Sequence, residues 1–333
     1  MNIQNKRGRT TALPRAVLVG LACLLAVSWA TSAAAQKKLT ILSGYDILFM
    51  QGFVADKEGF FKDEGLDVTV KYTVSGKVAV DGVVAGAGVM GISASLVSVT
   101  AATRAPIYII APLGRSVHYM QMVALGDNSS AADLKGKRIG FQFGTEGHRF
   151  ALTYLRKNGI ATKEVTLKNI PAQALPAALS RKDIDALSVW PPHSTKALEA
   201  TPGSKFLEDS KGVLIGFGVV VMRKDFVDSD PDGAQRLLRA LLKADKFMNK
   251  NPARTMEHFA AQGKVTMGMT KSIYNDLKPI YSMAIDKEFV NELKLSADFL
   301  ADHGYTKERG DPGKFIYHKL MRDVAPELVT FKF

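Results

Sequence analysis

Cysteine is almost absent from this 333-residue chain: Cys23 is the only one. It lies in the apolar stretch of the N-terminal segment, so the chain beyond that segment can close no disulfide. A disulfide-stapled scaffold and a cysteine-based metal site or nucleophile are thereby excluded. The six histidines are scattered, without His-Glu-x-x-His or His-x-His spacing, and no zinc centre or other metal site is expected. Neither a Gly-x-Ser-x-Gly elbow nor a phosphate-binding P-loop occurs. Gly86, Gly88 and Gly91 match a dinucleotide-binding pattern in letters only. No Asp or Glu falls between Gly91 and Asp127, where that fold needs an acid, so no cofactor is expected. The pairs Asp183/Asp185 and Asp228/Asp230 sit at turn-like edges and read as solvated caps. Nothing in this inventory demands catalysis.

Long apolar runs are missing beyond the N-terminus. Within it, Lys6, Arg7, Arg9 and Arg15 precede an apolar core from Ala16 to Ala30 and the small residues Ala33-Ala34-Ala35. This is the pattern of a signal peptide over 1–35, with the mature chain starting at Gln36 and exported. The run is too short and Ala-rich for a membrane-spanning helix. Gly20-Leu21-Ala22-Cys23 suggests a lipoprotein cleavage site, but the sequence stays apolar to Ala30 where a lipoprotein turns polar. The net charge of +12 falls to +8 once the four basic residues of that acid-free segment are set aside. The balance suits an anionic partner or an acidic membrane surface. The basic residues are dispersed, without arginine blocks or aromatic interleaving, so no nucleic-acid partner is expected. With 47% hydrophobic residues, the chain can rely on its core alone.

What is present is alternation of strand and helix signals. Leu39–Leu42 reads as a strand, followed by the loop Ser43-Gly44-Tyr45-Asp46, a helix carrying Phe53, Val54, Phe60 and Phe61 to Gly65, and a strand over 67–74. The stretch from Asp133 to Gly159 is the most informative. Ile139, Phe141 and Phe143 alternate in a strand, Gly144-Thr145-Glu146-Gly147 forms a polar loop, and Phe150, Ala151, Tyr154 and Leu155 recur at helical spacing up to Asn158-Gly159. A Thr between glycines at a helix entrance reads first as an ordinary cap, and second as an opening for an anion or polar ligand. From Pro231 the pattern becomes helical, with apolar stripes over 235–249, 273–281 and 290–300. The class is α/β with a helical C-terminal segment.

A faint internal echo lays Val80–Ser93 on Leu175–Ser188 without gaps, each copy reading as helix end, turn and short buried strand. Ser95 then falls opposite Trp190. Ligands in open α/β sheets sit beyond the carboxyl ends of strands, so two such halves make a cleft. The apolar strands Tyr119–Leu125 and Phe217–Met222 mark two crossings. The expected lobes are 36–125 with 222–333, and 126–221.

Several segments carry a family likeness: KEGFFKDEGLDV from Lys57, DLKGKRIG from Asp133, Gly144-Thr145-Glu146-Gly147-His148, Asp183-Ile184-Asp185-Ala186 and Trp190-Pro191. In this order they resemble the nitrate/taurine/sulfonate-type substrate-binding proteins of bacterial ABC importers, a group that also includes pyrimidine-precursor binders of thiamine supply. The resemblance implies a two-lobe periplasmic-binding-protein fold of type II, joined by two crossover strands. It also implies a periplasmic monomer, not an enzyme, that captures a small polar organic ligand (a sulfonate, taurine-like compound or nitrate) and delivers it to the membrane subunits of a permease. The ligand residues it implies are Tyr45 and Asp46 after the first strand, Ser93 and Ser95 after Ile92, Arg115 and Ser116 after strand 107–111, Thr145, Gly147 and His148 in the second-lobe loop, and Trp190 at the hinge.

Each residue also has a plainer reading. Tyr45 and Trp190 suit a core as well as a ligand stack; Ser93 and Ser95 suit turns; Arg115 suits the surface. A cation in the first helical turn is disfavoured, which gives His148 a polar reason to be there. Two residues depart from a simple oxyanion site. Asp46 and Glu146 put carboxylates where an anion would bind, and favour a zwitterionic or amine-bearing ligand. An enzyme on the same fold, akin to pyrimidine synthases or menaquinone-pathway enzymes with His148 or His193 as acid–base groups, is the alternative, as is a periplasmic ligand sensor.

Overall fold

The computed structural model describes Met1, residues 38–307 and residues 309–333. The signal-peptide reading, with Cys23 and the cut after Ala35, lies outside the described residues. Among the described residues no helix is long and apolar enough to cross a membrane.

Eleven strands form two sheets among the described residues: β1 (Lys38–Gly44), β2 (Asp67–Thr73), β3 (Met90–Ala94), β4 (Ile107–Ser116), β5 (Gln121–Ala124), β6 (Arg138–Phe141), β7 (Thr166–Asn169), β8 (Ala186–Val189), β9 (Lys205–Asp209), β10 (Gly216–Arg223) and β11 (Ile280–Tyr281). The first sheet runs β11-β4-β10-β3-β1-β2 and the second β7-β6-β8-β5-β9. In each, a parallel group abuts antiparallel strands: β1 pairs parallel with β2 and β3 while β10 returns antiparallel, and β6 pairs parallel with β7 and β8 while β5 returns antiparallel. β3, β5 and β8 are buried along their whole length. Covered on both faces, such strands read as unbroken apolar runs.

The internal echo has a structural counterpart. Helix Gly76–Val84 leads to β3, and helix Leu175–Ser180 leads to β8. The letters around Gly86 form the turn between that helix and β3, so the strand follows the glycines instead of preceding them. The single helix expected up to Gly65 is two, Met50–Lys57 and Phe60–Asp63, because Gly59 takes a left-handed φ of 80° between them. The helix expected to run to Tyr281 stops at Leu277: Lys278 adopts φ 46° and Pro279 follows, so the chain turns into β11.

Sheet membership changes at Val117–Met120 and again at Ser210–Ile215, a few residues before the expected boundaries at 125/126 and 221/222. Both runs read as crossings have partners on each side. β5 lies between β8 and β9, and β10 lies between β3 and β4. The helical C-terminal segment returns to the first sheet, where Tyr317 N donates to Ile109 O at 2.8 Å and Ser282 N donates to Leu113 O at 2.9 Å.

One glycine ties β10 to the loop after β1. A Cβ on Gly218 would stand 2.1 Å from the carbonyl oxygen of Leu48, a backbone atom that cannot step aside alone. Gly218→Ala is therefore expected to lower stability by about 1–3 kcal/mol, as overpacking of a dense core does. An unchanged urea midpoint would contradict this close approach.

Candidate functional site

The carboxyl ends of β1 and β3 meet the start of helix Gly76–Val84 backbone to backbone. A Cβ on Gly44 would lie 2.3 Å from Gly76 N, and one on Gly76 would lie 2.7 Å from Ser93 Cα. Ser75 caps this helix by accepting from Val78 N. From the second sheet, Thr145 and Glu146 open helix Glu146–Lys157 beyond β6, and Trp190 follows β8. These strand ends enclose a cavity of about 20 Å³, walled by the aromatic side chains of Tyr45, Phe49, Tyr119 and Trp190 and the polar ones of Lys77, Thr145 and Glu146. The space is about that of one water molecule. Larger depressions of about 410 Å³ beside Arg156 and His303 and about 600 Å³ beside Arg104 and Arg309 lie away from the strand ends, and one of about 270 Å³ borders Lys77, Val97 and Gly144. Size favours these. Position favours the small cavity, because it gathers aromatic and charged groups at the strand ends of both sheets.

Tyr45 stacks on Phe259 with centroids 4.9 Å apart, and its hydroxyl donates to Phe259 O at 3.2 Å. Asp46 is turned inward. Its Oδ1 accepts from Leu48 N at 2.8 Å, capping the turn Ile47–Phe49, and its Oδ2 accepts from the Tyr119 hydroxyl at 2.6 Å. Burial pushes the Asp46 carboxyl up to about 7, against the pull of these two donors. Asp46 thus buttresses Tyr119 from behind the cavity wall.

Glu146 crosses between the sheets. Its Oε1 accepts from Ser95 Oγ at 2.8 Å and from Leu96 N at 2.7 Å, at the start of the ten-residue helix Ser95–Arg104. Its side chain is 1% exposed, and its Oε2 has no hydrogen-bond partner. The Arg149 guanidinium stands 3.6 Å from that oxygen. Arg149 is spent elsewhere: it donates to Glu292 Oε1 and, at 2.9 Å, to Ser296 Oγ, both on helix Lys287–Asp302. Burial and the neighbouring Glu146 push the Glu292 carboxyl up, against the pull of Arg149. Burial alone would lower the Arg149 pKa, but Glu292 and Glu146 hold it above its ordinary value.

Of the residues expected at the site, Tyr45, Thr145 and Trp190 line the cavity, and Ser95 reaches it through Glu146. Thr145 occupies the N-cap position in extended conformation, but its hydroxyl donates back to Gln142 O at 2.7 Å instead of capping. Gly147 lies against Ser188 O, where a Cβ would come within 2.7 Å. Ser93 bonds Ser98 Oγ at 2.8 Å inside the core. Arg115 points to acidic neighbours, Glu288 at 3.0 Å and Asp286 at 3.4 Å, and the Ser116 hydroxyl donates to Leu277 O. Neither reaches the cavity wall. His148 packs in an aromatic cluster, 5.0 Å from Phe141 and 4.9 Å from Phe143, which are themselves 5.2 Å apart, with Phe299 and Tyr305 edge-on. Burial, with nearby His303, lowers its pKa to about 4, so it is a neutral member of this cluster. Tyr119 and Lys77 were not foreseen. The lone hydroxyl-bearing aromatic opening an apolar strand, and the Ser75-Gly76 cap, were the available signals.

Residues 48–255 match the family described as NMT1/THI5 like. The taurine-binding periplasmic protein of Escherichia coli (strain K12) is 29% identical over 198 residues, 58% of this chain and 61% of that one. The alkanesulfonate-binding protein SsuA from Xanthomonas axonopodis pv. citri, solved bound to MOPS, superposes with a TM-score of 0.74 at 17% identity, over 86% of this chain and all of that one. The desulfurization enzyme DszB superposes with a TM-score of 0.65 at 16% identity, over 86% of this chain and 99% of that one. These superpositions show that the fold is the two-sheet α/β fold of periplasmic binding proteins.

Proposed function

The chain belongs to the NMT1/THI5-like family, and from that premise we propose that it is a periplasmic solute-binding protein of an ABC importer. It captures a small polar organic ligand between two lobes and hands it to the permease. The observation that carries this reading is the meeting of strand ends from both sheets around one cavity walled by Tyr45, Tyr119 and Trp190. The names of its relatives support a solute-binding role, and their ligands, taurine and alkanesulfonates, give the starting class. The lobes divide at the passages 117–120 and 210–215, which serve as the hinge. A cavity of about 20 Å³ admits no organic molecule without movement of its walls, so capture requires opening and reclosing. The enzyme reading loses its leading acid–base candidate, since His148 is held in the aromatic cluster.

The test is a thermal-shift screen of sulfonates, nitrate, carboxylates, amines and pyrimidines, followed by small-angle scattering. A ligand at about a hundred times its Kd stabilises the protein by about 2.7 kcal/mol. That gain, lost in Trp190→Ala, together with a smaller radius of gyration in the presence of ligand, is the expected result. No shift with any class and no compaction would refute the receptor reading.

A further inference from the structure

Glu146 occupies the position that an oxyanion would take. The helix Ser95–Arg104 begins without a side-chain cap from its own N-cap residue, Ala94, and two of the donors at its start are Leu96 N and the Ser95 hydroxyl. Both already bind Glu146 Oε1, a carboxylate brought from the other sheet. An anion arriving at this helix would have to displace a buried carboxylate or sit beside it.

The second oxygen has no such donors. Glu146 Oε2 is buried, lacks a hydrogen-bond partner and belongs to a residue lining the cavity. A buried carboxylate oxygen without a donor is costly and calls for one. Of the two cations nearby, Lys77 Nζ pairs with Asp81 at 2.6 Å, and Arg149 donates to Glu292 and Ser296 while standing 3.6 Å from Oε2, close enough to share its charge but too far to donate to it. The remaining walls, Tyr45, Tyr119 and Trp190, are aromatic faces that suit a planar ring or a cation.

We propose that Glu146 sets the specificity of the cleft: the ligand offers an N–H donor, a primary ammonium or an amino group on a planar ring, to Oε2, and simple oxyanions are excluded because the protein's own carboxylate holds the helix start. This deepens the receptor reading above and rests on it. Taurine carries both groups and is therefore a poor discriminator; matched single-function probes are needed.

The experiment compares 4-aminopyrimidine and benzylamine with ethanesulfonate and benzenesulfonate by calorimetry and thermal shift. Wild type, Glu146→Gln and Glu146→Ala are measured, with melting curves checking that each variant folds. Glu146→Gln keeps an oxygen for Ser95 and Leu96, so it tests charge without emptying the contact. The amines are expected to bind wild type, to lose at least tenfold in Glu146→Gln, and to be outcompeted in Glu146→Ala, where the freed helix start gains at least tenfold for ethanesulfonate. Tighter binding of the sulfonates than of the amines to wild type would overturn the proposal while leaving the receptor reading intact. So would an amine affinity indifferent to Glu146→Gln. Binding of neither class would leave an ordered water as the partner of Oε2 and would overturn this proposal, while the receptor reading would still be decided by the wider ligand screen and the scattering measurement.

Discussion

Arg149→Ala is expected to lower the stability of the protein by about 3–5 kcal/mol, the usual result of removing one partner from a buried ion pair. The guanidinium is 6% exposed and faces two carboxylates, Glu292 at 2% and Glu146 at 1% exposed. Without it, both remain buried beside each other with no counter-charge. The loss is larger than the pair is worth, because most of it is desolvation left uncompensated. The sign of its pH dependence follows. In the variant the Glu292 carboxyl, already raised by burial and by Glu146, loses the opposing pull of Arg149 and rises further above its unfolded value, so the folded state binds protons more readily than the unfolded state. Stability is then greatest in acid and falls as pH rises towards neutrality. The deficit against wild type should therefore be smaller at pH 5 than at pH 8. Urea titrations at both pH values check it, and adding Glu292→Gln to the variant should recover part of the loss at pH 8. A deficit below about 1 kcal/mol that ignores pH would mean that the triad is solvated.

The same triad shows where sequence reading reaches its limit. Arg149 and Glu292 lie 143 residues apart, and no local pattern links them. Local periodicity did reveal β1, β2, β6 and β10 and the amphipathic helix Pro231–Lys250, because a strand or helix writes its buried face into its own residues. The Val80 and Leu175 echo was legible for the same reason. Side-chain direction in loops was not. Nothing adjacent to His148 announces Phe299 or Tyr305 as its neighbours, and nothing near Arg115 announces Asp286 and Glu288. The carboxylate of Glu146 was visible as an anomaly in an anion-type loop, but its answer, the start of the Ser95 helix, lies 50 residues away. Sheet membership changes at 117–120 and 210–215, where no local signal stands out, because an apolar crossing and an apolar central strand look alike when only one chain segment is seen.

Asp46→Asn is expected to remove a stability slope between about pH 4 and pH 7 that wild type carries. The wild-type carboxyl is raised from 3.8 to about 7, chiefly by burial, so the folded state holds a proton that the unfolded state has already released. A group raised in the folded state contributes stability that is complete below the unfolded value and gone above the folded one. Three units correspond to a ceiling of about 4 kcal/mol, at 1.36 kcal/mol per unit. Histidines obscure this in wild type alone. Burial lowers His148 and His193 to about 4, which makes stability rise with pH over much of the same window. Comparing wild type with Asp46→Asn cancels that contribution. Asparagine can still accept from Leu48 N and can donate to the Tyr119 oxygen, so the turn Ile47–Phe49 and the Tyr119 ring should keep their places. The stability of wild type minus that of the variant should fall as pH rises from 4 to 7 and stay level above. A flat difference across pH 4–8 would sink the assignment. Asp46 would then be ionised throughout, paid for by the Tyr119 hydroxyl and Leu48 N–H, and Tyr119 would be held on the cavity wall by a charge instead of a shared proton.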